Sequence, residues 1–399
     1  MRKHSVIIVG GGLGGATCAF FCSKLGLDVL MVEKDQFPRD KICGDGLQAP
    51  MYPILKEMGI LDDVLAVSFP NNGLAYVDSR EERAVMYFPP EIPPHYSCPR
   101  YIYDAIVNKA AVDTGIDYMD NFEALEVITR RGQACGVRGL YNGSLLDLEC
   151  DLVILANGSH SMLSRQMGFY EEDPEYVFYG LRGYFDGVRG IKDESEFVYA
   201  DIFRDGGYVW LFPEGRSEDG TTRCNVGVFI TEANLKDLDM TMEEILWWWR
   251  DNTKTGDQRL GKANLVGKLE GWRLPTGKHQ AVHSAGVMAV GDAGNMIDQC
   301  YGGGAGTAMI SGKIAAGIAS EAVKANDFSK EFLNKYEDTI EKVLGSFFEG
   351  VQIWRDHLFG KPETVIEFVD YVNSGGPGAM TGYLMSKGIE LPAEPYSSK

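Results

Sequence analysis

Residues 5–33 constrain the fold of this chain more than any other part of the sequence. They begin with a short apolar run rich in β-branched residues, at positions 6–9, which is typical of a strand buried on both faces. The run leads directly into the spacing GxGxxG, formed by Gly10, Gly12 and Gly15. In this motif the first glycine permits a tight turn, the second lets a diphosphate approach the backbone, and the third lets a helix pack closely on the sheet.

The residues that follow complete a strand–helix–strand unit. Residues 16–25 are predicted to form a helix whose free N-terminal N–H groups would hold a diphosphate. Residues 28–32 are predicted to form the second strand, which ends at Glu33, where a carboxylate can accept hydrogen bonds from a ribose 2′-OH. We therefore predict a dinucleotide site. Glu33 favours an unphosphorylated ribose, so FAD or NAD rather than NADP, and the motif alone does not separate these two.

The composition argues against several other classes of function. The chain has 399 residues, of which 45% are hydrophobic and 24% charged, as in an ordinary globular protein with room for two domains. Its formal net charge of −19 argues against nucleic-acid binding and against electrostatic attachment to anionic lipid. The eight cysteines are scattered without a CxxC pair, so we expect reduced thiols and neither a zinc site nor an iron–sulfur cluster.

The sequence predicts a cytoplasmic protein. The first strand begins within a few residues of the N-terminus, so we expect no signal peptide. No uninterrupted apolar run has the length of a membrane span, so we expect no transmembrane segment. Peripheral contact with a membrane stays open, because the charge does not exclude a lipid substrate held by apolar contacts.

A second glycine-rich segment, far along the chain, indicates the same kind of site. A predicted strand at residues 286–290 leads to Asp292, where a carboxylate can accept hydrogen bonds from ribityl hydroxyls. Several glycines then precede a small-residue helix predicted at residues 307–316. Backbone N–H groups there would point at a place that can carry negative charge, such as the N1/C2=O edge of a reduced flavin. An earlier predicted strand, at residues 151–155, is followed by a comparable turn at Asn157-Gly158.

These landmarks resemble those of FAD enzymes with the p-hydroxybenzoate-hydroxylase fold, which share the N-terminal GxGxxG, the GD motif and the strand end between them. Two further segments are similar to the geranylgeranyl reductase family, which includes bacterial menaquinone reductases. One is FPRDKICGDGL at residues 37–47. The other is GGYVWLFP at residues 206–213, followed by NVGV at residues 225–228. The resemblance implies FAD as the cofactor.

The resemblance also implies contacts with the flavin. It places Arg39, Lys41, Cys43 and Gly44 in a loop near the flavin, and it adds Arg100 as a further contact. No metal ligand is predicted. The complete set of predicted cofactor-binding residues is Gly10, Gly12, Gly15, Glu33, Lys34, Arg39, Cys43, Gly44, Arg100, Ala124, Asn157, Gly158, Asp292, Gly303, Gly304 and Ala305.

The predicted catalytic residues are Cys43, Tyr208, Trp210 and Phe212. The resemblance implies that the three aromatic residues line a cavity over the isoalloxazine. Alternating aromatic residues on one strand give one face a rigid apolar wall, so we expect the three rings to share a face of an elongated apolar cavity with Cys43 at its rim. Cys43 is either a reactive thiol or a small residue packed by the flavin.

The predicted fold class is α/β plus antiparallel β, in which two domains are interleaved and followed by a C-terminal helical region. Single helices are predicted at residues 52–65 and at Met242–Asn252. The predicted segments are an FAD-binding Rossmann-like domain at 1–68, 99–177 and 276–325, a substrate-binding β-sheet domain at 69–98 and 178–275, and the helical region at 326–399.

Two positions depart from the superfamily pattern. Asn157 stands where an aspartate is usual, and Gln299 follows Asp298 where a proline is usual. Asp298 could therefore face the flavin differently or contact the substrate. The departures leave the cofactor assignment intact, but they weaken any claim about a particular substrate.

Three functions compete. The first is reduction of carbon–carbon double bonds in an isoprenoid or other apolar substrate by hydride transfer from reduced flavin, with NAD(P)H, ferredoxin or another flavin as external electron donor. The second is a flavin monooxygenase or halogenase acting on an aromatic or natural-product substrate. A halogenase is expected to carry Trp-x-Trp-x-Ile-Pro, where this chain reads YVWLFP. The third is a non-catalytic flavin-binding or electron-transfer protein, and the glycines at the predicted flavin edge favour catalysis over it.

Overall fold

The computed structural model describes residues 2–170, 173–203, 206–276, 281–357 and 361–392. Its strands, in chain order, are β1 (His4–Val9), β2 (Val29–Val32), β3 (Gly46–Leu47), β4 (Phe69–Asn71), β5 (Gly73–Val77), β6 (Arg83–Tyr87), β7 (His95–Ser97), β8 (Asp117–Met119), β9 (Phe122–Arg130), β10 (Gln133–Tyr141), β11 (Ser144–Leu155), β12 (Val177–Val188), β13 (Glu194–Val198), β14 (Gly207–Arg216), β15 (Thr222–Thr231), β16 (Asn264–Pro275), β17 (His283–Ser284) and β18 (Val287–Ala289).

The helices lie between and after these strands. In chain order they are α1 (Leu13–Lys24), α2 (Tyr52–Met58), α3 (Leu61–Ala66), α4 (Arg100–Val112), α5 (Met162–Gln166), α6 (Glu232–Leu238), α7 (Met242–Asn252), α8 (Lys254–Leu260), α9 (Ala305–Ala325), α10 (Lys330–His357), α11 (Pro362–Asn373) and α12 (Ala379–Ser386). Among the described residues, no helix combines the length and apolar composition needed to cross a membrane.

The first sheet is built around β1 and has the strand order β17-β18-β11-β1-β2-β8. Strands β2 and β11 flank β1 and run parallel to it. The side chains of β1 alternate between two cores, because Val6 and Ile8 pack on one face and Ile7 and Val9 on the other. A continuous apolar run is what a strand covered on both faces requires, so the predicted parallel core is confirmed.

Strand β11 joins this parallel core to an antiparallel extension. Its first half pairs antiparallel with β10, which pairs in turn with β9. Its second half runs parallel to β1, with Cys150 opposite His4 and Leu155 opposite Val9. The chain therefore leaves and re-enters the central sheet without a break, and β11 delivers Asn157 to the end of the sheet where the glycine turn lies.

The second sheet has the strand order β16-β12-β15-β14-β13-β5-β6. Its neighbours are antiparallel except for the β13–β5 pair. One face packs with α7, whose Trp249 is fully buried, and the other face packs with α11 and α12. The mostly antiparallel second sheet predicted from the aromatic and β-branched segments is confirmed.

Two predicted helices differ in their limits. The helix predicted at residues 52–65 is two helices, α2 and α3, because Gly59 takes a left-handed conformation (φ 77°) and ends α2. The small-residue helix predicted at residues 307–316 is longer and runs through all of α9. Small residues at its start hide the helical periodicity that larger apolar side chains would give.

Close packing of α1 against α9 fixes the glycine turn relative to the rest of the first sheet. A Cβ added at Gly312 of α9 would lie 2.3 Å from the carbonyl oxygen of Gly14 and 3.3 Å from the nitrogen of Cys18. The two helices therefore approach at a distance that only glycine allows.

Replacing Gly312 with alanine should destabilise the fold by about 1–3 kcal/mol, because the added methyl group meets backbone that cannot yield locally. Gly317 is the matched control on the same helix, since a Cβ there meets no atom within 4 Å. Gly317→Ala should instead stabilise the helix by about 0.5–1 kcal/mol through the lower entropy of alanine. Urea unfolding of both variants measures the difference, and equal effects of the same sign would contradict this packing.

Candidate functional site

The N-terminal glycine turn has the conformation that its sequence predicts. Gly10 has φ +106°, in the left-handed region, and its N–H donates to the carbonyl of Val32 over 2.8 Å. A Cβ at Gly15 would lie 1.8 Å from the carbonyl oxygen of Gly10, so α1 starts directly against the end of β1. Asn108 of α4 donates to the carbonyl of Gly11 at 3.0 Å and holds the turn from outside. The role of Asn108 was not predicted from the sequence.

Gly12 differs from the other two glycines because open space adjoins it. A Cβ there would meet a single heavy atom within 4 Å, the Nη2 of Arg39 at 3.3 Å. Gly12 is also the N-cap of α1, and neither a capping side chain nor an acidic residue in the first turn occupies its N–H groups. Open backbone at a helix N-terminus suits an anion, so the residues present fit the diphosphate of FAD.

Glu33 lies at the end of β2 and is almost fully buried. Its carboxylate accepts hydrogen bonds from the N–H groups of Gly11 (2.7 Å), Lys34 (2.8 Å) and Asp35 (3.1 Å). A carboxylate has about four acceptor positions, so one stays available for a ribose hydroxyl. The carbonyl of Glu33 accepts from the N–H of Phe122, which puts β9 and its Ala124 next to this end of the sheet.

The loop at residues 37–47, called the bridging loop below, is anchored through an aspartate that the sequence analysis missed. Asp104 accepts hydrogen bonds from Arg39 at 2.7 Å and from Arg100 at 2.6 and 2.8 Å. Burial alone would raise the pKa of Asp104, but the two guanidinium groups outweigh it and lower this pKa. The i, i+4 spacing of Arg100 and Asp104 on a helix was the available signal.

The bridging loop also reaches the second glycine-rich segment. Lys41 Nζ lies 3.0 Å from a carboxylate oxygen of Asp292, and the other oxygen of Asp292 would lie 2.7 Å from a Cβ at Gly304. Gly303, Gly304 and Ala305 form the start of α9. The structure therefore brings together Asp292, the first turn of α9 and the loop, as the sequence predicts.

Asn157, the first departure from the superfamily pattern, and Asp298, which precedes the second, have hydrogen-bond partners within their own segments. Asn157 accepts a hydrogen bond from Ser161 at 2.8 Å, and Gly158 takes φ +85°. The Asp298 carboxylate accepts from the N–H groups of Cys300 (2.7 Å) and Tyr301 (3.0 Å), and burial raises the pKa of Asp298 to about 6. Asp298 thus shapes the loop before α9 with its own side chain.

The three predicted aromatic residues share one face of β14. The ring centroids of Tyr208 and Trp210 lie 6.4 Å apart, as do those of Trp210 and Phe212. A Cβ at Gly44 would lie 2.9 Å from the ring of Phe212, so the bridging loop touches this aromatic wall. We use the name aromatic wall for Tyr208, Trp210 and Phe212.

Asn225 of β15 links the aromatic wall to the bridging loop. Its amide oxygen accepts from Trp210 Nε1 at 2.9 Å, and its amide nitrogen donates to the carbonyl of Cys43 at 2.9 Å. Cys43 is half-buried, and its thiol lies close to Arg100. Cys43 thus lies beside the aromatic wall, as expected. The sequence analysis includes Asn225 in the segment NVGV but predicts no role for it.

Two carboxyl groups lie next to Asn225, and neither was predicted as a site residue. Asp45 follows Gly44 in the bridging loop, and its carboxylate accepts from Tyr184 at 2.6 Å and from Asn225 at 2.9 Å. The carboxyl of Glu214, on β14, lies next to it and interacts with it electrostatically. Burial raises the pKa of Asp45 to about 6, and burial together with the charge of Asp45 raises the pKa of Glu214 to about 9. The pair therefore holds one proton at neutral pH.

Replacing Glu214 with glutamine should remove part of the pH dependence of stability. In the folded chain Glu214 keeps a proton up to about pH 9, whereas in the unfolded chain its pKa returns to about 4.3. Unfolding at neutral pH then releases a proton, so stability falls as the pH rises between these values. Because glutamine imitates the protonated form, the melting temperature of the native protein should fall relative to that of Glu214→Gln between about pH 5 and pH 9.

Glu218→Gln is the control for this measurement, because Glu218 is exposed in the turn between β14 and β15. That variant should keep the slope of the native protein. Parallel melting curves for the native protein and Glu214→Gln across this pH range would show that Glu214 is ionised in the fold.

Comparisons with known proteins agree with this architecture. A family model described as an FAD binding domain matches residues 3–309. The digeranylgeranylglycerophospholipid reductase of Thermoplasma acidophilum is 28% identical over 349 residues, which covers 86% of this chain and 84% of that protein. The 1H-pyrrole-2-carbonyl-(peptidyl-carrier protein) chlorinase of Pseudomonas fluorescens is 24% identical over 390 residues, with coverages of 88% and 84%.

A solved structure resembles the whole fold. The geranylgeranyl bacteriochlorophyll reductase-like protein of Thermoplasma acidophilum superposes with a TM-score of 0.83 at 22% identity, covering 97% of this chain and 99% of that one. This likeness confirms the predicted fold class, and the family match confirms FAD as the predicted cofactor.

Proposed function

Because the chain belongs to the FAD binding domain family and is an FAD-dependent oxidoreductase, we propose that it reduces carbon–carbon double bonds of an isoprenoid or similarly apolar substrate. The observation that carries this proposal is the aromatic wall, which faces the bridging loop with two of its three rings almost fully buried. A rigid apolar surface at this place suits a hydrocarbon chain better than a charged or sugar-like molecule.

We further propose that the predicted set of residues holds the cofactor. The N-terminus of α1 with Gly12 would receive the diphosphate, Glu33 a ribose hydroxyl, and Asp292 the ribityl chain. The start of α9 and the bridging loop would hold the flavin ring from two sides. FAD, once bound and reduced, supplies the hydride that such a reduction needs.

The protein itself would position the substrate and keep water away from it. The aromatic wall would orient the hydrocarbon and exclude water, while the bridging loop would hold Cys43 and Gly44 against it. The relatives named digeranylgeranylglycerophospholipid reductase support a lipid-like substrate for this chain as well.

Oxygenation or halogenation is the second candidate, because the chlorinase of Pseudomonas fluorescens covers as much of the chain as the reductases do. The strand sequence YVWLFP, in place of Trp-x-Trp-x-Ile-Pro, favours the reductase. Electrons would come from NAD(P)H, ferredoxin or another flavin. We propose a cytoplasmic protein that contacts membranes at most peripherally.

Replacing Gly12 with valine should abolish FAD binding and leave the fold intact. The added side chain has room in the protein itself, where the nearest atom is the end of the flexible Arg39, but it would fill the space proposed for the diphosphate. Absorbance of the purified variant measures its FAD content. Gly317→Ala is the control and should retain the native content. A stoichiometric yellow chromophore in Gly12→Val would refute this placement.

Replacing Trp210 with alanine should change turnover and the preference for substrate length, and affect FAD content much less. The variant removes the middle of the aromatic wall. Burying one apolar side chain contributes about 1.5–3 kcal/mol of free energy, so contacts with a hydrocarbon should weaken. The assay is anaerobic reduction of prenyl alkenes with a chemical reductant, alongside FAD content. Trp272→Ala removes a solvent-exposed tryptophan and should behave like the native protein.

Native turnover by Trp210→Ala on every prenyl substrate, at full FAD occupancy, would assign the wall to the structural core. Oxygen-dependent modification of an aromatic substrate by the native protein, with no alkene reduction, would favour the second candidate.

A further inference from the structure

We propose that Asp45 and Glu214 form a shared-proton pair that supplies the proton in alkene reduction; this rests on the proposed function. Saturating a double bond adds a hydride to one carbon and a proton to the other. The electron pair arrives with the hydride from reduced FAD, and the pair of carboxyl groups gives up the proton. Water then re-protonates the pair through Glu214, which is half-buried, whereas Asp45 is fully buried.

Two backbone irregularities place these carboxyl groups. Asp45 has φ 62°, a left-handed conformation that is uncommon for a residue other than glycine. Glu214 is the extra residue of a β-bulge, because Pro213 pairs with Cys224 and Gly215 pairs with Arg223 on β15. Bulges re-aim side chains and are frequent beside active sites. Asp45 and Glu214 thus both depart from regular backbone where their carboxyl groups come together.

The hydrogen bonds around Asp45 determine where the proton lies. Trp210 Nε1 can only donate and the carbonyl of Cys43 can only accept, so Asn225 must present its NH₂ group to the loop. That NH₂ group and the hydroxyl of Tyr184 both point at the same oxygen of Asp45. The other oxygen of Asp45 accepts from the backbone N–H of Arg100 at 3.3 Å. Both oxygens of Asp45 thus receive donors, which makes each a poor place for a proton. The resting proton therefore lies on Glu214, and Asp45 accepts it.

Charged and titratable groups face the pair from every element packed against it. The three arginines among them also bind other carboxylates: Arg100 binds Asp104, Arg182 binds Asp40 and Arg223 binds Asp186. They therefore offset one negative charge on the pair only in part, and burial makes a second one costly. Burial and the neighbouring carboxylates also raise the pKa of Cys98 to about 11. The facing groups are Arg100 of α4, Arg182 and Tyr184 of β12, Arg223 and Cys224 of β15, and Cys98 next to β7.

The inner end of the pair lies at the proposed reaction site. Asp45 is bonded in sequence to Gly44, whose Cβ position lies 2.9 Å from the ring of Phe212, and it shares Asn225 with Trp210 and Cys43. Tyr184 is a weaker candidate for the proton source, because burial and Asp45 raise the pKa of its phenol far above its usual value. In this proposal Asp45 is the member of the pair that donates to the substrate, and Glu214 acts through it.

Infrared spectroscopy of the FAD-loaded protein without substrate is the first test. The native protein should show a protonated-carboxyl C=O band at neutral pH that disappears as the pH passes about 9. The band should be absent from Glu214→Gln and unchanged in Glu218→Gln. An identical band in the native protein and Glu214→Gln would overturn the proposal, because Glu214 would then not carry the proton.

Anaerobic single-turnover reduction of a prenyl alkene is the second test. Asp45→Asn should slow the reduction step at least about tenfold, with KM and FAD content unchanged, since about 1.4 kcal/mol of barrier corresponds to each tenfold change. Glu214→Gln should lose the fall in rate that the native protein shows above about pH 9, and Glu214→Asp should partly restore it. Native rates and an unaltered pH profile in both Asp45→Asn and Glu214→Gln would overturn the proposal.

The two tests separate this inference from the proposed function. If the native protein shows the infrared band and reduces no prenyl alkene, the proposed function fails and the inference falls with it. If the native protein reduces the alkene and the variants do so equally well, the proposed function stands and the inference alone is overturned.

Discussion

The bridging loop is the constraint on which the rest of the site depends, because it connects the two sheets through polar contacts. On the side of the first sheet, Arg39 binds Asp104 and Lys41 binds Asp292. On the side of the second sheet, the carbonyl of Cys43 accepts from Asn225, and Asp45 accepts from Tyr184. Apolar packing alone would let two sheets slide, whereas these directional contacts fix one position. The proposed flavin and substrate sites meet at that position.

The features that the sequence predicted correctly are those encoded over short distances. A side chain at Gly10 or Gly15 would collide with nearby backbone, so the GxGxxG spacing alone predicts the turn. The continuous apolar run of β1 likewise predicts burial on both faces, whichever elements cover it. The alternation of Tyr208, Trp210 and Phe212 places three rings on one face for the same reason. Each of these inferences needs only the residues within one element.

The features that were missed depend on contacts between distant segments. Asp104 holds the bridging loop because it binds Arg39, and Glu214 keeps its proton in part because Asp45 lies beside it. The two members of each pair are far apart in the sequence, and no periodicity connects them. The helix predicted at residues 52–65 failed for the opposite reason: the apolar pattern continues, but Gly59 turns left-handed within it. Gly59 itself was the available signal, because glycine is the residue that most often ends a helix in this conformation.

The aromatic wall and Glu214 occupy successive alternate positions of one strand, and this ties the proposed substrate surface to the proposed proton source. Glu214 is the second residue after Phe212, so its carboxyl group starts from the end of the aromatic wall. A one-residue slip of β14 would turn all four side chains toward α7 and α8 on the opposite face. The bulge at Glu214 lets the carboxyl turn toward Asp45 while the three rings before it keep regular pairing with β15. The regular part of the strand therefore provides the apolar surface, and its one irregular residue provides the ionisable group.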